Sequence, residues 1–155
     1  FRMLPGLHLN WYTYELVEVK PDVLGVEHGG KLYGHKWFWT QMLWGDAADN
    51  IPGLPKHPDF PRGVGEVAAG KLLAFADSDD SAAQAVAQAY KAHWGDEWAD
   101  RYVEQASLLW IRRTNQAPIN EWMAYLPVGP QLKAAGERML TRVNLLKEEA
   151  ACLSD

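Results

Sequence analysis

The sequence contains one cysteine, Cys152, so no internal disulfide can form and a disulfide-stapled scaffold is excluded. A lone thiol also favours a reducing compartment. No apolar run approaches the ~20 residues that a membrane span needs, and no signal-peptide pattern is visible. Positive charge is scarce as well. Fifteen basic side chains stand against 20 acidic ones, a formal net charge of -5, which argues against an autonomous basic nucleic-acid binder. The five histidines (His8, His28, His35, His57 and His93) lack metal-ligand spacing with the cysteine. There is no nucleophile-elbow serine, no Walker glycine loop, no internal repeat and no low-complexity stretch.

What is present is ordinary globular material. The 155 residues are 48% hydrophobic and 23% charged, enough for one domain or a domain with an extension. That composition excludes a disordered tail, a collagen-like fibre and a coiled-coil rod. Eight tryptophans are many for this length and imply a heavy core or a partner surface. The chain opens at Phe1 rather than Met, which reads as a piece of something longer. Charge is uneven. Residues 1–30 carry 2 basic and 4 acidic side chains, residues 31–75 carry 5 and 4, and residues 76–155 carry 8 and 12. The middle third is therefore the least hostile to a polyanion, although differences of this size also suit an ordinary solvated surface.

Aromatic and β-branched residues alternate loosely with polar ones over residues 8–20, predicting one or two short strands ended by Pro21. Gly25, Gly29 and Gly30 mark a loop. Apolar residues at helical spacing predict a buried helix over residues 32–44, closed by Gly45. Residues 46–65 are broken by glycine and proline and read as loop with at most one helical turn. Small residues predict a helix over 66–74, and the Asp77–Asp80 run starts an alanine-rich helix over about 81–94. A further helix is expected over 97–113, with Trp98, Tyr102, Ala106, Leu109 and Trp110 inward. A short strand is expected at 122–126, and a last helix from Pro130. The seam Leu132, Ala135, Met139, Val143, Leu146 and Ala150 suits docking on the same domain better than a dimer zipper. The fold class is mainly α.

Two segments carry possible chemistry. In Gly45-Asp46-Ala47-Ala48-Asp49-Asn50-Ile51-Pro52-Gly53-Leu54-Pro55 the two aspartates are three apart. A helical turn starting at Asp46 would put both on one face, at the positive end of the helix dipole. Paired carboxylates there suit Mg²⁺ or Mn²⁺, which take hard oxygen donors. The plainer alternative is an N-cap and a first-turn acid with no metal. Downstream, Gly63-Val64-Gly65 precedes a helix. Backbone N–H groups of such a Gly-x-Gly can hold a phosphate, as in helix–hairpin–helix modules, so an acidic protein could grip DNA locally. The plainer alternative is a tight turn into a packed helix.

Together the segments run from an aromatic helix through Gly-Asp-x-x-Asp-Asn-Ile-Pro-Gly-x-Pro to Gly-x-Gly and a small-residue helix. This order resembles the helix–three-turn–helix region of the 5′-nuclease superfamily of flap endonucleases and phage 5′→3′ exonucleases. Phe1-Arg2-Met3-Leu4-Pro5-Gly6 is similar to the family segment that follows a strand ending in Asp-x-Asp. Leu108–Arg113 followed by Glu121-Trp122-Met123 resembles the C-terminal stretch of podovirus-type exonucleases. The likeness covers about residues 1–126.

The resemblance implies a mainly α helix–hairpin–helix domain with short strands near the N-terminus and an added C-terminal helix. It divides the chain into residues 1–30, the tail of a catalytic α/β domain; 31–126, the DNA-binding domain; and 127–155, a helical extension. It implies a two-metal Mg²⁺ or Mn²⁺ site in which Asp46 and Asp49 are catalytic metal ligands. The family's other carboxylates come from an N-terminal half that this chain lacks, so the chain alone is expected to be nearly inactive. Gly53, Lys56, Arg62, Gly63, Val64, Gly65 and Lys71 would contact DNA, with His57 a further phosphate contact and K⁺ at the hairpin. The partners implied are DNA, through 5′ ends and the duplex backbone, and the missing half, with no membrane. The location implied is cytoplasmic, in the host if phage-encoded. The seven residues Lys56 to Arg62 enlarge the hairpin relative to the family pattern. Two rival readings stay open: a non-catalytic DNA-binding module from a split or decayed nuclease, and a helical protein-interaction domain.

Overall fold

The computed structural model describes residues 2–58, 61 and 63–153. Two small hairpins come first. Strand β1 (Gly6–Leu9) pairs antiparallel with β2 (Leu16–Val19), Leu9 opposite Leu16. Val17 and Val19 alternate with exposed Leu16 and Glu18, so one face is buried. Strand β3 (Val26–His28) pairs with β4 (Lys31–Tyr33). The turn between them is Gly29-Gly30, both with positive φ, which a two-residue hairpin turn with the right twist demands. Val17, Val19 and Tyr33 form a small core beneath Val26. The expected loop at Gly25–Gly30 is thus half of a strand pair, and Leu32 and Tyr33 belong to β4 rather than to the following helix.

The rest is helical. Helix α1 (His35–Trp44) is the hub, with Phe38, Trp39, Met42 and Leu43 at 0% exposure. It packs on α2 (Glu66–Leu72), α3 (Asp79–Trp94) and α4 (Trp98–Leu109). Helix α3 starts with a capping box, the Ser78 and Ser81 side chains each bonding the other's backbone N–H. A 3-10 turn, Gly95–Glu97, leads into α4. One core joins these helices, from Met3 near the N-terminus through Tyr90 and Tyr102 to Trp122 and Leu132. No helix among the described residues is long and apolar enough to cross a membrane.

Three further expectations are corrected. Helix α4 stops at Leu109, not Arg113, because Trp110 turns extended and its indole N–H donates to Glu121 Oε2 at 3.2 Å. The same carboxylate oxygen accepts from the Arg113 backbone N–H at 2.8 Å, which ties residues 110–113 to the next segment. That segment is a 3-10 turn, Glu121–Ala124, and not a strand. Its Trp122 is fully buried and donates to Ser107 Oγ, so the core took up the aromatic that suggested a strand. Helix α5 (Pro130–Cys152) buries its seam only at the start, at Leu132 and Ala135, while Leu146 is 54% exposed. Its first half packs on α4, where Arg138 bridges to Asp100 at 2.7 Å.

Candidate metal and nucleic-acid site

The Asp46 segment begins at the C-terminus of α1. A helix leaves its last four carbonyls without intrahelical partners. Here the Gly45 N–H donates to Gln41, the Tyr90 hydroxyl to Met42 at 2.8 Å, and the Leu54 N–H to Leu43 at 2.9 Å. Those bonds fold the chain back on the helix end. A two-residue ladder follows, β5 (Gly45–Asp46) against β6 (Ile51–Pro52). The Gln105 amide, buried on α4, donates to the Pro52 carbonyl at 2.8 Å and holds β6 down. Asp46 therefore lies on a hairpin after a helix, not at the start of one. The helix-dipole argument for its carboxylate does not apply.

The hairpin still brings the two aspartates together. Asp46 and Asp49 line one cavity of about 270 Å³ with Arg2, Trp37, Gln41 and Trp110. Asp46 is half-buried and Asp49 exposed. Gln41 Nε2 donates to Asp46 Oδ2 at 2.6 Å, and the Ala48 N–H donates to Oδ1 at 3.0 Å. The second bond is the side-chain turn typical of aspartate in tight loops. Each carboxylate oxygen keeps a lone pair, so Asp46 and Asp49 fit a hard divalent cation as two ligands of a larger set. They do not close a site. Among the described residues no group of three or more His, Cys, Asp or Glu side chains is placed to hold a metal ion. Arg2 puts a cation in the same cavity, its guanidinium 3.7 Å above the Trp37 ring.

Arg2 and Gln41 were not singled out as site residues from sequence. Arg2 sits in the segment 1–6 that carried part of the resemblance. Gln41 is a polar residue buried among the aromatic and apolar side chains of α1, five residues before Asp46, and that was its signal.

The other expected contacts lie apart from this cavity. Gly63 has φ 82, and Gly65 is the extended N-cap of α2. The Gly65 carbonyl accepts from the Ala69 N–H at 2.9 Å, which leaves one lone pair for any monovalent cation. Val64 is buried, so only its backbone could meet a phosphate. Lys71 lines a separate open groove along α2 with Gly65, Glu66 and Leu72, and Lys56 is exposed. His57 packs its ring 4.7 Å from that of His93. Gly53 is pressed against the Trp44 carbonyl, so packing alone requires a glycine there. Arg62 lies outside the described residues.

Comparison with family models, curated proteins and solved structures finds no match to this chain.

Proposed function

We propose that this chain is the C-terminal part of a divalent-metal-dependent 5′→3′ exonuclease or flap endonuclease acting on DNA. The observation that carries the reading is the shared cavity of Asp46 and Asp49, built by the Gly-Asp-x-x-Asp-Asn-Ile-Pro-Gly string. In this reading residues 35–72 form the helix–hairpin–helix region. Asp46 and Asp49 would hold a divalent cation, whose chemistry when bound is to activate water and stabilise a leaving oxygen. Gln41 orients the Asp46 carboxylate toward the cavity. The backbone at Gly63–Gly65, with Lys56 and Lys71, grips duplex phosphates. Further carboxylates come from a catalytic half, so the chain by itself is a weak metal binder and a poor nuclease.

A second reading has its own observation. Both Asp46 oxygens already have protein donors, which suits a structural hairpin in a non-catalytic DNA-binding module.

Binding to a 5′-overhang duplex at two salt concentrations tests the DNA grip. Micromolar affinity that falls with salt is expected. In the Lys56→Ala/Lys71→Ala variant the slope of log affinity against log salt should drop by about 2, one for each phosphate that a lysine no longer neutralises. Salt-independent binding, or none at low salt, overturns the grip. Adding an upstream half that carries Asp-x-Asp, with Mg²⁺, then separates the nuclease from the inert module: only the nuclease cleaves.

A further inference from the structure

A second cavity, of about 430 Å³, opens among the end of β2 and the segment after it, the starts of α1 and α3, and Arg113 and Tyr125. Its lining includes Lys20, His35, Asp79 and Arg113. Each Asp79 oxygen has one protein donor. Oδ2 accepts from His35 Nδ1 at 2.8 Å and Oδ1 from the Trp39 indole N–H at 2.6 Å. A carboxylate can only accept, so His35 Nδ1 carries the proton of that bond.

Arg113 is in the opposite condition. Its guanidinium lies 5.0 Å over the Trp110 ring and 5.3 Å over the Tyr125 ring. Its Nε–H is buried with no hydrogen-bond partner among the described residues. Glu121 spends its Oε2 on the Trp110 indole and the Arg113 backbone N–H. The Nε atom is closed off from the cavity, and Arg113 is half-buried and brings its cation to the cavity lining. Lys20 brings a second cation to the same cavity.

We propose that this cavity binds the phosphate group of a small phosphate ester, with Arg113 and Lys20 holding the anion. The two cations less the Asp79 carboxylate leave a formal charge of +1, and the planar guanidinium with the ammonium offers donors for three phosphate oxygens where a monocarboxylate has two. The volume falls within the range of small-ligand pockets, so an ester body fits beside the phosphate. Val19, Val23 and the ring of Tyr125 offer that body an apolar wall. The site is separate from the Asp46 cavity and does not rest on the nuclease reading. The two cavities have only Met3 in common.

Phosphorus-31 line broadening of inorganic phosphate by the full chain, in a phosphate-free buffer, tests the site directly. Wild type should broaden the signal in the millimolar range. Lys20→Ala, at an exposed side chain, should weaken binding roughly tenfold, because one charge-assisted hydrogen bond to the anion is removed. Arg113→Gln should abolish it, and Asp46→Asn should leave it unchanged. Adenosine monophosphate and a short single-stranded oligonucleotide then identify the source of the phosphate. Tighter binding of the oligonucleotide assigns it to a strand, and equal or tighter binding of the mononucleotide assigns it to a free nucleotide. The proposal fails if wild type gives no broadening, if acetate competes as well as phosphate, or if Lys20→Ala and Arg113→Gln both bind like wild type.

Discussion

Gly45, opposite Pro52 in the β5–β6 ladder, and Gly53, the next residue after β6, pack so closely that a side chain on either would overlap backbone. A Cβ on Gly45 would strike Gly53 and Ile51, and one on Gly53 would strike Trp44. Gly45 also has φ 87, a left-handed conformation that disfavours any other residue. The two glycines therefore set the geometry that puts Asp46 beside Asp49. Gly53→Ala should lower stability by about 2–3 kcal/mol through forced backbone movement. Urea unfolding would measure it, and a loss under half a kcal/mol would show that the hairpin can relax.

The Gln41–Asp46 bond gives a prediction that rests on the metal reading. Manganese binding followed by electron paramagnetic resonance should vanish in Asp46→Asn. Gln41→Met should weaken it roughly tenfold, because the ligand loses its orienting donor. Equal manganese affinity in wild type and both variants would remove Asp46 from any metal site.

The run of helices was legible because their apolar residues recur at helical spacing, and Gly45 and Pro130 marked the end of α1 and the start of α5. The pairing of the pieces was not. Asp46 read as a helix start because Gly-Asp before a small-residue run suits an N-cap. The competing signal, a second glycine at Gly53 able to accept close backbone contact, acts across the hairpin. Asp79 read as one of several helix-start acids, and nothing local pointed to His35, 44 residues upstream. Trp122 favoured a strand by propensity, yet burial against α4 decided its backbone. The aspartate pair itself was visible in sequence, whereas Arg2 and Gln41 joined it only through packing.

Two buried tyrosines make a matched test of hydrogen bonding in the core. The Tyr90 hydroxyl donates to the Met42 carbonyl at the end of α1, whereas the Tyr102 hydroxyl is buried without a partner among the described residues. Burial pushes the ionisation of both far above the usual tyrosine range. Tyr90→Phe should cost about 1–2 kcal/mol, since it strands a buried carbonyl, while Tyr102→Phe should be neutral or slightly stabilising. Thermal unfolding of the two variants decides it, and equal losses would refute the assignment of partners.

Asp77 gives a pH prediction with a definite sign. Hydrogen bonds from Ser81 and then Ser78 hold its carboxyl below the ordinary aspartate value. A group depressed in the folded state contributes stability that is fully present above its unfolded value and is lost as pH falls through its folded one. The Asp77 carboxyl carbon should therefore titrate at lower pH than that of a free aspartate. Ser81→Ala removes the hydroxyl at the centre of the cap, so it should return Asp77 toward the ordinary value and make the start of α3 less sensitive to acid. Carbon-13 titration of the carboxyl follows both. An Asp77 midpoint unchanged by Ser81→Ala would mean that the backbone at the α3 start, not the serine network, sets this carboxylate's acidity.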